Sequence, residues 1–250
     1  MEAVGLLNNK QIAKDVLVDP HNLNLLHALS EFALTLARYG IHVQVCSKRS
    51  LKRLPELPAE FKDNVRRSFI LWNEWIQPEG SAVESGVSVN LEKQFLKKAL
   101  KHFGFTVDDE FWNVLEKDDL VEIYGEDMVQ LYRSMNFFEI SGYSLLDLSV
   151  NEWFVLYERS RLVLEQINQK IAEVLKYSLP TQRFEIPRHI LRERCEVGTA
   201  EPFVPRAVLV DFRHIASLKR HPLGKAQGFI VTCKAQIIAA GEESMKIGFV

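Results

Sequence analysis

The stretch Arg188-His189-Ile190-Leu191-Arg192 sets two arginines four apart, with Arg183 and Arg194 beside them. Guanidinium pairs grip phosphate or carboxylate groups bidentately, so anion binding is one reading of Arg188 and Arg192. An exposed strand face of alternating Arg and Glu has the same spacing, and we prefer that plainer reading. Asp15, Asp19 and His21 could hold a metal at a strand end, but a turn rich in Asp, Pro and Asn needs none. His21 and His27 are six apart and do not share a helix face as i, i+4 ligands do. HExxH, GxSxG and GxxxxGK[ST] are all absent. Cys46, Cys195 and Cys233 are odd in number and lack CxxC spacing, which fits free thiols in a reducing compartment. Trp72, Trp75, Phe103, Phe111 and Trp112 read as core rather than as a stacking platform.

Composition narrows the class. The 250 residues are 47% hydrophobic and 26% charged, enough for a core without disulfides or metals. A net charge of −2 excludes a globally basic nucleic-acid binder. No apolar run reaches membrane-span length, and no basic stretch leads into an apolar segment at the N-terminus, so neither a span nor a secretory signal is expected. A cytoplasmic location follows as an expectation. The apolar ending at Val250 reads as that of a fragment whose output domain lies elsewhere.

The elements that would position these residues are α+β. From 1 to 117 a mostly helical region is expected, with short strands at 16–18 and 41–45. Leu25, Leu26, Leu29, Phe32, Ala33 and Leu36 recur at helical spacing, and Gly40 stops that helix. Lys48 to Pro58 reads as a basic connector. Helices are expected over 59–76, after Asn90 and after Asp108. From 118 the pattern changes. Residues 120–124 and 128–132 alternate around Gly125-Glu126-Asp127, a hairpin signal. Short helical pieces run from Ser134 to Val150, then longer helix to Tyr177, ended by Pro180. Strands are expected within 183–195, over 206–218 and over 228–239. Nine acids against one base in 107–127, and nine bases against five acids in 180–225, fit either a self-complementary dimer or interdomain contact or, equally well, the solvated loops of a folded domain.

Two strands, short helices, a long helix and three strands is an order that resembles a PAS sensory domain. The local match is Met135 to Leu148, with Asn136, Phe138, Gly142-Tyr143-Ser144 and Asp147-Leu148. The resemblance covers about 118–240. On that reading Asn136 caps the first short helix, Phe138 packs inward, Gly142 permits the turn between helices, and Asp147 and Leu148 end the second helix. The resemblance implies a five-stranded antiparallel sheet with helices on one face, a ligand between them, and ligand or partner sensing coupled to homodimerisation. Nothing identifies the cofactor. Ser149 to Phe154 holds no cysteine, which disfavours cysteinyl-flavin chemistry. The segment 151–179 holds no histidine, which disfavours heme held from the long helix and leaves His189 as a fallback ligand. Arg-x-x-x-Arg is also similar to the opening motif of PilZ domains, whose second element is missing here.

The expected reading is therefore a non-catalytic sensory or regulatory protein. Its ligand would be lined by Trp153, Phe154, Tyr157, Leu164, His189, Val210, Phe229 and Cys233, with Tyr157 and His189 orienting it. Two other readings stay open. One is an enzyme or nucleotide-binding protein using Asp19 with Arg188 and Arg192; the other is an interaction scaffold with a filled core.

Overall fold

The computed structural model describes residues 18–77, 89–151, 153–194 and 204–249. The chain is α+β: helices dominate the N-terminal part and an antiparallel sheet the C-terminal part. It divides into two compact units that exchange chain segments. The first takes residues up to Gly86, Gly142–Glu158 and Glu193–Pro205; the second takes Val87–Ser141, Arg159–Arg192 and Arg206–Val250. This division does not follow the boundary expected at 117.

In the first unit, α1 (Pro20–Arg38) packs along α3 (Ala59–Ile76). Asp19 caps α1 by accepting the His21 amide, and Gly40 leaves the helix at a φ of +82°, where a glycine has no steric penalty. Phe32 meets Phe69 edge-on at 5.2 Å, and the Tyr39 hydroxyl donates to the Ile76 carbonyl at 2.7 Å. The basic connector contains a helix, α2 (Lys48–Arg53), because Ser47 and Ser50 form a reciprocal capping box. Residues 41–45 form no strand. Their carbonyls serve α7 (Leu145–Val150) instead: the Leu145 amide donates to Gln44 at 2.9 Å and the Leu146 amide to Val45 at 3.0 Å. The open amides of a helix start outcompete a strand that has no partner. Residues 16 and 17 lie outside the described residues. After α7 come α8 (Trp153–Leu156) and the short β3 (Tyr157–Glu158).

In the second unit, α4 (Val89–Phe103) and α5 (Asp109–Val114) precede β1 (Leu120–Gly125) and β2 (Gln130–Arg133). These helices belong with the sheet through specific bonds. The Tyr132 hydroxyl donates to Glu92 at 2.5 Å, Lys93 Nζ donates to the Trp112 carbonyl at 2.7 Å, and Asp108 accepts the Thr181 amide at 2.7 Å. Then follow α6 (Met135–Ile140), α9 (Arg161–Tyr177), β4 (Gln182–Arg183), β5 (His189–Glu193), β6 (Arg206–Leu218), β7 (Gly228–Ala240) and α10 (Glu242–Lys246). The unit's strands lie in the order β2-β1-β7-β6-β5, with β4 also paired to β6. That is six strands where five were expected, because the chain leaving α9 pairs Gln182 with Ile215 before it reaches β5. These pairings are antiparallel.

Several local roles differ from expectation. Asn136 sits inside α6 and donates to the Lys117 carbonyl at 3.2 Å; Ser134 holds the cap position. Asp147 lies in the first turn of α7, not at its end. Gly142 does not need a left-handed φ. A Cβ there would sit 2.6 Å from Glu193 Oε2 and 3.2 Å from the Val204 carbonyl, so close approach is what requires glycine. Phe138 is buried, as the resemblance implied.

Candidate functional site

Strand pairing decides which residues share a face of the sheet in the second unit. Cys233 on β7 lies opposite Leu120 on β1 and Phe212 on β6. Phe229 lies opposite Tyr124 and Ser217, and Val210 lies opposite Ala235 and His189. Alternation along each strand then places His189, Val210, Phe212, Phe229 and Cys233 on one face, despite the bulge between Phe212 and His214. Four of the eight expected lining residues thus come together: His189, Val210, Phe229 and Cys233. Val210 and Cys233 share an apolar cluster with Leu120 and Val208. Phe229 stacks on Tyr124 with ring centroids 5.0 Å apart.

The long helix lies over this face. Lys170 of α9 donates to Gln182 Oε1 at 3.2 Å, and Gln182 belongs to the face through its register with Ile215. Val163, Ile167, Ile171 and Val174 form the buried stripe of α9 at helical spacing. Ser160 caps its start, accepting the Val163 amide, and Ser178 ends it in the left-handed region at a φ of +52°.

His189 is the unusual member. It is 1% exposed. Its Nδ1 lies 3.1 Å from the Pro187 carbonyl, and Nε2 has no hydrogen-bond partner. A carbonyl only accepts, so Nδ1 carries the proton and Nε2 presents a bare lone pair. The ring stacks on Phe212 at 5.6 Å, and Phe212 meets Phe184 at 4.7 Å. Burial lowers the imidazole pKa to about 4, and the nearby Arg159 charge acts in the same direction. The ring is neutral at neutral pH. Burial also holds the Cys233 thiol well above its ordinary value, so it is an inert apolar group.

The other expected lining residues are placed differently. Leu164 lies half-buried on α9, beside the buried stripe. Phe154 is 51% exposed. Tyr157 is buried in the first unit, where its ring meets Tyr143 at 5.5 Å. The Trp153 side chain lies outside the described residues. Spacing on one strand could have found Phe212, which alternates with Val208 and Val210.

The anion-binding alternative meets a different environment. Arg188 Nη2 pairs with Asp211 at 3.0 Å. Arg192 donates to the Met245 carbonyl at 3.1 Å and lies over the Phe249 ring at 4.7 Å. Alternation along β5 puts Arg192 on the face opposite His189, and Asp211, the partner of Arg188, alternates with Val210 onto that same opposite face. Asp19 belongs to the first unit, where the buried Lys62 donates to it at 2.8 Å and lowers its pKa. The two halves of that alternative are thus each engaged within their own unit.

Among the described residues no group of three or more His, Cys, Asp or Glu is arranged to hold a metal ion, and no helix is long and apolar enough to cross a membrane. The sequence matches no protein-family model, and a search of curated proteins finds no match.

Proposed function

We propose that this chain is a cytoplasmic, non-catalytic sensory or regulatory module of the PAS type that acts as a homodimer. Its ligand lies between α9 and the sheet face bearing His189, Val210, Phe229 and Cys233. One observation carries the reading: a neutral, buried imidazole with an unused Nε2 lies against aromatic rings on the sheet of the second unit. A buried polar atom without a partner costs about 1–3 kcal/mol, and a ligand that bonds to it removes that cost. The order of elements from Leu120 onward, with short helices and then a long helix between two strands and the later strands, also supports it.

Native mass spectrometry of the purified chain, with a UV–visible spectrum of the same sample, tests the proposal. A dimer carrying added small-molecule mass is the expected result. A dimer that stays without added mass after exposure to a metabolite extract overturns ligand sensing in favour of a scaffold with a filled core. A monomer at micromolar concentration overturns the dimeric part.

A further inference from the structure

The second unit contains buried polar atoms that the protein leaves unused. His189 Nε2 is one. Gln182 Nε2, on the same sheet face, and Gln166 Oε1, on the buried side of α9 with Val163 and Ile167, are also buried without partners. Gln182 still accepts from Lys170 through its other amide atom. Buried polar groups are normally satisfied, so the unused Nε2 of a side chain that is 1% exposed marks a place where another molecule can supply the bond.

Their chemistry restricts that molecule. His189 Nε2 can only accept, because Nδ1 is committed to the Pro187 carbonyl. The bare Nε2 itself offers no proton to a carboxylate or phosphate. A cation would have to enter a buried layer beside Arg159, whose charge already acts on His189. The walls near the imidazole are flat: Phe212 stacks on it at 30°, and Phe184 lies against Phe212 at 35°. Such surfaces take an aromatic ring in offset or edge contact.

We infer that the ligand of this face is a neutral aromatic molecule carrying a hydroxyl, which donates its hydrogen bond to His189 Nε2. The inference rests on the ligand-receiving reading proposed above and adds the chemical class.

The test compares para-fluorophenol, fluorobenzene and para-fluorobenzoate by fluorine NMR titration of the full chain. The expected order has para-fluorophenol tightest and para-fluorobenzoate weakest. In His189→Phe, para-fluorophenol binds roughly 3- to 10-fold more weakly, the loss of one neutral hydrogen bond, while fluorobenzene is nearly unchanged. A nitrogen NMR titration of histidine-labelled wild-type protein needs no variant: the neutral, low-pKa imidazole signal shifts with para-fluorophenol and not with fluorobenzene. Equal binding of para-fluorophenol and fluorobenzene overturns the hydroxyl inference and leaves the ligand-receiving layer standing. Tightest binding of para-fluorobenzoate overturns the neutral class. Failure of all three to bind at millimolar concentration overturns both the inference and the reading beneath it.

Discussion

Two buried titratable groups in the second unit pull its stability in opposite directions with pH. His189 titrates near pH 4 when folded and near 6.5 when unfolded. The unfolded chain therefore holds more protons between these values, and stability is lost as pH falls through that window, by up to about 3 kcal/mol. Glu92 is the reverse case. Burial raises its carboxyl pKa to about 7, although the Tyr132 hydroxyl at 2.5 Å works against the rise. The folded state then holds the extra proton between pH 4.5 and 7, so stability is lost as pH rises, by a similar amount of about 3 kcal/mol. Urea unfolding of Glu92→Gln across this range is expected to show stability falling on acidification. His189→Phe is expected to show the opposite slope. Parallel pH profiles for the two variants would refute the assignment of these groups.

At the scale of elements, the start of α7 shows how this fold closes without regular pairing. Its first amides donate to Gln44 and Val45, and its third donates to Ser144 Oγ at 3.2 Å. The buried Asp147 then accepts Ser144 Oγ at 2.5 Å and Ser47 Oγ at 2.9 Å, tying α7 to the capping box of α2. Ser47→Ala removes the cap and one hydrogen bond to a buried carboxylate. It is expected to destabilise the first unit by about 1–3 kcal/mol, read as a lower urea midpoint. Gly142→Ala forces a Cβ against Glu193 and the Val204 carbonyl and is expected to cost about 1–3 kcal/mol. It also disturbs the 2.6 Å bond from the Gly142 amide to Glu193 Oε1. An unchanged melting temperature in Gly142→Ala would mean that Glu193 moves aside freely. In the second unit, Arg206 closes the end of α6 by donating to the Glu139 and Ile140 carbonyls, at 2.8 and 2.7 Å.

For the molecule as a whole, the opposed gradients of His189 and Glu92 predict a wild-type stability that changes little between about pH 4.5 and 6.5. Below that range, carboxylates held low by their partners are protonated and their stabilisation is lost. Asp63 beside His21 and Glu116 beside Lys234 are examples. A plateau followed by acid unfolding, followed by circular dichroism, is the expected profile; a steep slope across the plateau would contradict it. Complementary charge has a local outlet as well. Glu116, from the acidic stretch, pairs with Lys234 at 2.5 Å and with Arg213 of the basic stretch at 3.6 Å, all within one unit. Part of the complementarity read as an interface signal is thus spent inside the fold.

What the sequence determined by itself was local. Periodicity of 3.6 placed the helix over 59–76, and periodicity of 2 placed the strands over 206–218 and 228–239, because each element buries one face or stripe wherever it docks. His189, Val210, Phe229 and Cys233 were named as candidates from the resemblance to a PAS domain, not from periodicity. Only the tertiary structure decided the rest. Residues 41–45 alternate like a strand yet serve as a cap, because alternation does not say whether a partner strand is available. Phe154 is apolar but exposed, and Arg188 and Arg192 share a face only to pair with Asp211 and the C-terminal carbonyls. Whether a buried polar atom finds a partner depends on groups far away in the chain, and so the unused Nε2 of His189 could not be read from its neighbours in sequence.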